Sequence, residues 1–316
     1  MPTSKELFKV FCEKEKGLPI FMTYDWLNTV APDNWDVVIE ENNGNVLGVF
    51  PYVIKNKYGF EQIIQPELTP YGGIWIKYPE DQKYATKVSY EKEIFFSLIE
   101  KLPTFDLFTQ KFHPKFNNWL PFYWKGFQQT TAYTYVIDES NTEIIFSEFK
   151  ENIRREIRKA QRTLLISTGN DINILYQIKA KSYQFNKQPF NISKDYITNI
   201  FSYCTKKKCG ELIIAKDDLE NIHAAAFFIW DDNTTYYLLG ASDPLYKNSG
   251  AMSLLMWEGI QRSVKRSTSF NFEGSMIEDI ERFFRGFGAR QTPYFVITKT
   301  NSNFIKIKKF FMDIYK

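Results

Sequence analysis

Residues 236–260 read YYLLGASDPLYKNSGAMSLLMWEGI. A strand-like run gives way near Gly240 to a turn rich in Ser, Asp, Pro, Asn and Gly. A helix then opens after Ser249, a residue type that caps helices by accepting from their first amides. Met252, Leu255, Met256 and Ile260 recur at helical spacing and read as core. The first amides of a helix have no internal partner and lie at the positive end of its dipole. Lys247, Asn248, Ser249, Gly250 and Ala251 therefore form a candidate turn for a phosphate or pyrophosphate. A capped helix start that binds nothing fits the same residues.

Two further segments downstream and upstream carry charge in a pattern. The run 150–162, KENIRREIRKAQR, places Ile153, Ile157, Ala160 and Leu164 on one apolar stripe of a long helix over about 143–163. Its outer side is basic, with Arg154, Arg158 and Arg162 aligned one turn apart and Arg155 and Lys159 beside them. Like charges at that spacing repel by a few tenths of a kcal/mol each, which suits phosphate binding, while Glu151 and Glu156 are available as neutralising partners. In the run 269–288 a strand ends at Glu273-Gly274, where Glu273 is a candidate base for an amine; capping of the next helix through Ser275 is the alternative. Arg285, with Arg282 three residues earlier, either meets that site or pairs with Glu278 and Glu281.

Outward from these segments the chain reads as α/β throughout. Strands at 35–40 and 46–54 flank Asn43-Gly44 as a hairpin, with Pro51 marking an edge or a bulge. A strand at 60–64 leads into the loop 65–73, QPELTPYGG, which either turns a corner or lines a cleft and ends on the candidate substrate contacts Tyr71, Gly72 and Gly73. A helix over 89–101 and strands at 106–112 and 131–138 complete a first lobe. After the polar break 139–141 come helices near 171–185 and 193–207, strands at 211–216, 222–230 and 234–240, a helix over 250–265, a strand at 269–272, a helix over 277–285, a strand at 294–299 and a final helix.

Composition narrows the function classes. The 316 residues are 44% hydrophobic and 24% charged, which describes a folded chain of about two domains. Forty Lys and Arg against 37 Asp and Glu leave a net charge of +3, too small for a general nucleic-acid coat, so no DNA partner is expected. Three cysteines and two histidines without metal-ligand spacing argue against disulfide staples and against a metal. No apolar window approaches a membrane span, so a cytoplasmic protein is expected. Neither G-x-S-x-G nor G-x-x-x-x-G-K-[ST] occurs, and Gly286-Phe-Gly288 lacks the third glycine of a dinucleotide fingerprint. Oligomeric state is not legible.

Taken together, QPELTPYGG, PFYWKGF followed by YTYVID, NIRREIRKAQR, residues 236–260 and FNFEGSMIEDIERFFRGFGARQTPYF resemble the FemAB-like branch of the GNAT N-acyltransferase superfamily. The order and spacing hold from about Phe21 to Lys299. The resemblance implies a mixed-sheet α/β fold of two tandem acyl-CoA N-acyltransferase-type lobes, 1–138 and 139–316, with the last helix docking on the first. It also implies transfer of an acyl or aminoacyl group to a small or phosphorylated amine acceptor in cell-envelope or peptidoglycan precursor metabolism. The donor would be acyl-CoA or aminoacyl-tRNA. A non-catalytic anion- or partner-binding protein on the same fold is the alternative. The family's pyrophosphate loop, Q/R-x-x-G-x-G/A, is matched by Lys247-Asn-Ser-Gly250-Ala-Met252, with Met in the last small position. Arg282-Phe-Phe-Arg285-Gly-Phe287 has Phe where many GNAT enzymes carry an acidic Tyr and Fem-type enzymes a Lys.

Overall fold

The chain, in a computed structural model, is described at residues 3–274 and 276–307. Its elements are α1 (Ser4–Lys14), α2 (Tyr24–Val30), β1 (Trp35–Asn42), β2 (Asn45–Lys57), β3 (Phe60–Ile64), β4 (Trp75–Ile76), α3 (Tyr84–Glu100), β5 (Leu107–Lys111), α4 (Leu120–Trp124) and β6 (Gln128–Ile137). There follow α5 (Thr142–Glu148), α6 (Glu151–Ala160), β7 (Leu165–Gly169), α7 (Asn173–Phe185), α8 (Lys194–Lys207), β8 (Gly210–Lys216), β9 (Ile222–Trp230), β10 (Thr234–Ser242), α9 (Ala251–Ser263), β11 (Ser269–Asn271), α10 (Glu278–Arg285) and β12 (Arg290–Thr300). Two compact units result. One runs to Ala132 and resumes at Pro293, and the other is Tyr133–Thr292. The sequence puts the division at 138, with 139–316 in the second lobe and only the last helix docking on the first. The chain instead re-enters the first unit, where β12 pairs with β5 from Val296 to Thr300. Residues 303–307 are helical and Phe304 stacks on Phe60 of β3 at 5.7 Å. The remainder of the expected final helix lies outside the described residues.

In the first unit the strands run β1-β2-β3-β5-β12, with β4 beside β2. Pro51 does not make β2 an edge. It pairs with Val37 on one side, and on the other it falls in the gap between β4, which meets Gly48 and Val49, and β3, which meets Val53 to Lys57. A proline costs no ladder bond there. Phe50, Phe108, Phe112 and Phe122 are fully buried and meet edge to face, the arrangement their ring quadrupoles favour.

In the second unit the order is β6-β11-β10-β9-β8-β7, with β10 and β11 parallel. Successive β9 residues point to opposite faces. Phe227 meets Phe201 of α8, while the ring of Phe228 lies where a side chain on Gly259 of α9 would stand. Helices thus cover both faces. The single helix expected over 143–163 is two, because the amide of Lys150 donates to the carbonyl of Gly286 at 2.8 Å and Phe149 turns inward against Trp257 and Phe287. The foreseen stripe Ile153, Ile157, Ala160 and Leu164 is buried, as are Leu255, Met256 and Ile260 of α9, and Met252 is packed against them. The short strand β7 was not foreseen.

The loop end Tyr71-Gly72-Gly73 is structural work for the first unit. Tyr71 is buried against Tyr294, His113 and Phe21, and the Gly72 amide donates to the Lys111 carbonyl at 2.7 Å. Gly73 has φ +102°, and a Cβ there would lie 2.6 Å from the Phe112 ring. Backbone strain and overpacking together cost roughly 3 kcal/mol. Gly73→Ala is therefore expected to lower unfolding free energy by about that amount in urea denaturation, and unchanged stability would return Gly73 to the list of ligand contacts.

Candidate functional site

β11 pairs with β10 for three residues only, Ser269–Asn271 against Thr234–Tyr236. β10 continues to Ser242 along β9, so beyond Tyr236 the two parallel strands part. Just past that point the β9–β10 register shifts: Tyr237 faces Phe228 and Leu239 faces Phe227, leaving Leu238 as an extra residue. A bulge of this kind leaves a main-chain group unpaired and re-aims the strand. The chain then passes the turn 243–250 into α9. This open edge, bulge and helix start are the frame on which the candidate residues are set.

The turn 247–251 and the basic helix come together, in a way the sequence reading did not specify. Lys159 Nζ donates to the Asn248 carbonyl at 2.9 Å, and Ser253 Oγ donates to Glu156 Oε2 at 2.6 Å. Gly250 has φ +78°, and its missing Cβ would lie 2.6 Å from the Glu156 carbonyl oxygen. A side chain at 250 would strike the backbone of α6, so the glycine serves helix packing whatever else it does. Lys159 is the cation placed on this turn; Arg155 lies one helical turn before it, and Arg162 follows just past the end of α6. Arg154 and Arg158 turn instead to Glu151. Arg154 donates to Glu151 Oε2 at 2.8 Å and to the Ser147 carbonyl at 3.0 Å, and Arg158 sits 3.6 Å from Glu151 Oε1. The stripe expected from Arg154, Arg158 and Arg162 is thus neutralised by Glu151 over two of its three members.

Glu273 stands at the carboxyl end of β11 with φ +55°, a left-handed conformation uncommon outside glycine. Its amide donates to Asn271 Oδ1 at 2.9 Å, Thr134 Oγ1 donates to the same oxygen at 2.5 Å, and the Gly274 amide donates to Thr134 Oγ1 at 2.9 Å. Thr134 and Asn271 are buried, so the hydrogen bonds of this node are held away from water. Burial raises the Tyr236 phenol well above its ordinary range, and the charges of Asp231 and Glu273 add to that. Ser275, the alternative capping partner, lies outside the described residues. Arg285 is spent on Glu281 at 2.8 Å, whose carboxyl also accepts from the Tyr135 hydroxyl at 2.5 Å. Arg285 and then Tyr135 hold Glu281 below the usual carboxylate range. Arg282 pairs with Asp279 and Glu278 at the surface.

Sequence reasoning missed a second set of groups, on α7 and β9, because nothing in their spacing marks them. Lys179 Nζ donates to the Gly240 carbonyl at 3.1 Å, and Lys181 Nζ meets Asp243 Oδ2 at 2.6 Å. His223 stacks flat on Tyr246 at 4.0 Å and lies 3.2 Å from Asp217 Oδ2. A cavity of about 300 Å³ between the end of β6, α5 and Gly288 is lined by none of the candidate residues. Among the described residues no group of three His, Cys, Asp or Glu is placed to hold a metal ion, and no helix is long and apolar enough to cross a membrane.

The sequence model of the acetyltransferase (GNAT) domain matches residues 147–274, the segment that holds α6, the parting strands, the turn and Glu273. A search of the curated proteins returns no match. Among solved structures, FemX superposes with a TM-score of 0.66 over 93% of this chain and 96% of its own, at 12% identity. The C-terminal domain of a putative lysylphosphatidylglycerol synthetase from Agrobacterium fabrum gives 0.58 over 94% and 92%, also at 12% identity. A tandem GNAT protein from the clavulanic acid biosynthesis pathway gives 0.52 over 94% of each chain at 8% identity. Residues 147–274 thus match the acetyltransferase (GNAT) domain, and the chain as a whole shares its fold with FemX and with a tandem GNAT protein.

Proposed function

We propose that the chain is an N-acyltransferase that moves an acyl or aminoacyl group from acyl-CoA or aminoacyl-tRNA to the amine of a cell-envelope precursor. The observation that carries this is the parting of β10 and β11 beside the Leu238 bulge, with a basic helix and a helix start at its far end. The acceptor's uncharged amine attacks the donor carbonyl, the C–N bond forms, and the bond to sulfur or ribose oxygen breaks. The Leu238 amide would donate to the developing oxyanion, a contribution of about 10²–10³ in rate for such donors. Glu273, on its strained turn, would take the proton from the attacking amine. Arg285 enters only as a positioning group, through Glu281 and Tyr135. The lysylphosphatidylglycerol synthetase neighbour and the resemblance to peptidoglycan-bridge enzymes support the cell-envelope reading of the acceptor. Both donor types are cytoplasmic, which is where we place the reaction.

A carboxylate already stands at the start of α9, on Ser253. The donor's phosphates therefore belong beside it, on Arg155, Lys159, Arg162 and Lys247 with the amide of Asn248, because the Ser249 and Ala251 amides already donate to the Tyr246 carbonyl and to Ser249 Oγ. The direct test is transfer of radiolabelled acyl groups from acetyl-CoA, and of amino acids from charged tRNA, to amine acceptors. Turnover of either donor supports the proposal. Thermal stabilisation by a donor without any transfer would favour the non-catalytic binding protein.

Reversal of Arg155, Lys159 and Arg162 to Glu is expected to weaken donor binding by about 100-fold or more, and wild-type affinity should fall steeply with salt. Neutralising Arg154 and Arg158 should change it by less than about threefold; titration calorimetry on both variants decides which face is used. Glu273→Gln keeps shape and removes basicity, so turnover is expected to drop about 100-fold with little change in melting temperature. A full rate in that variant would assign Glu273 to holding the turn.

A further inference from the structure

On the reading just proposed, a donor runs along the open edge of β10 from the turn 247–251 back to the bulge at Leu238, with its acyl carbon at the bulge and its phosphates at the turn. The leaving atom lies between them. Gly240 is two residues from Leu238 toward the turn, roughly 7 Å along a strand. Two side chains converge on it. The Tyr237 hydroxyl fills the space of the missing Cβ, and Lys179 Nζ donates to the carbonyl at 3.1 Å. Tyr237 is engaged toward the α9 side, its hydroxyl facing Met252 Sδ at 3.9 Å and its ring against Phe284. Lys179 reaches over from α7, half-buried beside the Tyr183 ring.

We infer that Lys179 is the proton donor to the leaving group, the role for which Phe283 and Phe284 leave no Tyr or Lys on α10. As the C–N bond forms and the bond to sulfur or ribose oxygen breaks, the Lys179 ammonium gives its proton to the departing thiolate or alkoxide. The amine so formed is reprotonated from solvent, while the proton of the attacking amine goes to Glu273 and on to solvent, so the step is balanced without an added reagent. Burial lowers the Lys179 ammonium to about 8. That value is close to the ~8.5 of a simple thiol, where proton transfer is nearly even in energy. The titratable groups on the elements packed against α7 are Tyr236 and Tyr237 on β10, His223 beside Asp217 on the β9 side, Lys194, Asp195, Tyr196, Tyr203, Cys204, Lys206 and Lys207 on α8, and Tyr246 and Asp243 on the turn, the last already paired with Lys181. Burial is the one cause of the shift, so none of them sets it.

Two measurements test the assignment. The first needs no turnover. Brief exposure of the folded protein to acetic anhydride, read by peptide mass spectrometry from pH 6 to 10, should acetylate Lys179 with a midpoint near 8, below that of surface lysines. An unreactive Lys179, or one with an ordinary lysine midpoint, overturns the proposal. The second is the pH profile of kcat/KM with whichever of acetyl-CoA or charged tRNA is turned over. The wild type should lose activity above pH 8 as Lys179 deprotonates, and Lys179→Met should be slower by about 100-fold or more without that alkaline limb. Lys179→Arg, whose guanidinium stays protonated, should move the limb out of range. An alkaline limb kept in Lys179→Met, or turnover lost in Tyr237→Phe while Lys179→Met stays fast, gives the role to another group and overturns the inference. If the wild type turns over neither donor, the transferase reading fails, and the labelling result reports on Lys179 independently.

Discussion

Everything at the candidate site depends on how β11 ends. A parallel pair left alone would continue its ladder, and here it stops after three residues as the Phe272 amide goes to the Tyr135 carbonyl of β6 and the buried Thr134–Asn271 pair holds the amides of Glu273 and Gly274. A buried polar node is costly unless its members are paired, so this one specifies a single geometry. Gly274 is pressed so closely on β6 that a Cβ would lie 2.1 Å from the Tyr133 carbonyl oxygen. The strand is thereby turned aside, Glu273 is forced into a left-handed conformation, and the edge of β10 beyond Tyr236 is left without a strand on that side.

Charge is arranged around that edge with economy. Glu151 neutralises the side of α6 that faces away, Glu281 takes up Arg285, and Glu156 closes the start of α9. Lys159 is held on the Asn248 carbonyl of the turn that also carries Lys247. The basic helix is therefore partly neutralised from within: Glu151 takes up Arg154 and Arg158, and Lys159 is the cation that reaches the turn.

The sequence made much of the fold legible, because strands such as 35–40, 46–54 and 222–230 and helices such as 194–207 are set by local periodicity and turn chemistry. What it hid was decided by distant partners. The break at Phe149-Lys150 needs the Gly286 carbonyl, the return of the chain to the first unit needs the pairing of β12 with β5, and the place of Pro51 needs the gap between β3 and β4. At the site, the turn 247–251, Glu273 and α6 were readable from charge and position in the helix or strand. Which face of α6 meets the turn was not, since Arg154 and Arg155 differ only by a rotation that the core contacts of Ile153 and Ile157 fix. Lys179 was invisible for the same reason: an isolated lysine on an ordinary helix gains its meaning only from Gly240.

The central claim is that the open edge of β10 holds the donor, with its carbonyl at Leu238. A crystal structure of the chain with a non-transferable donor analogue, such as a thioether of coenzyme A or a 3′-aminoacylamino adenosine, tests it most directly. The account predicts the acyl oxygen within hydrogen-bond distance of the Leu238 amide and the phosphates against Lys247 and Arg155, Lys159 and Arg162. An analogue bound elsewhere, with the β10 edge empty, would contradict it.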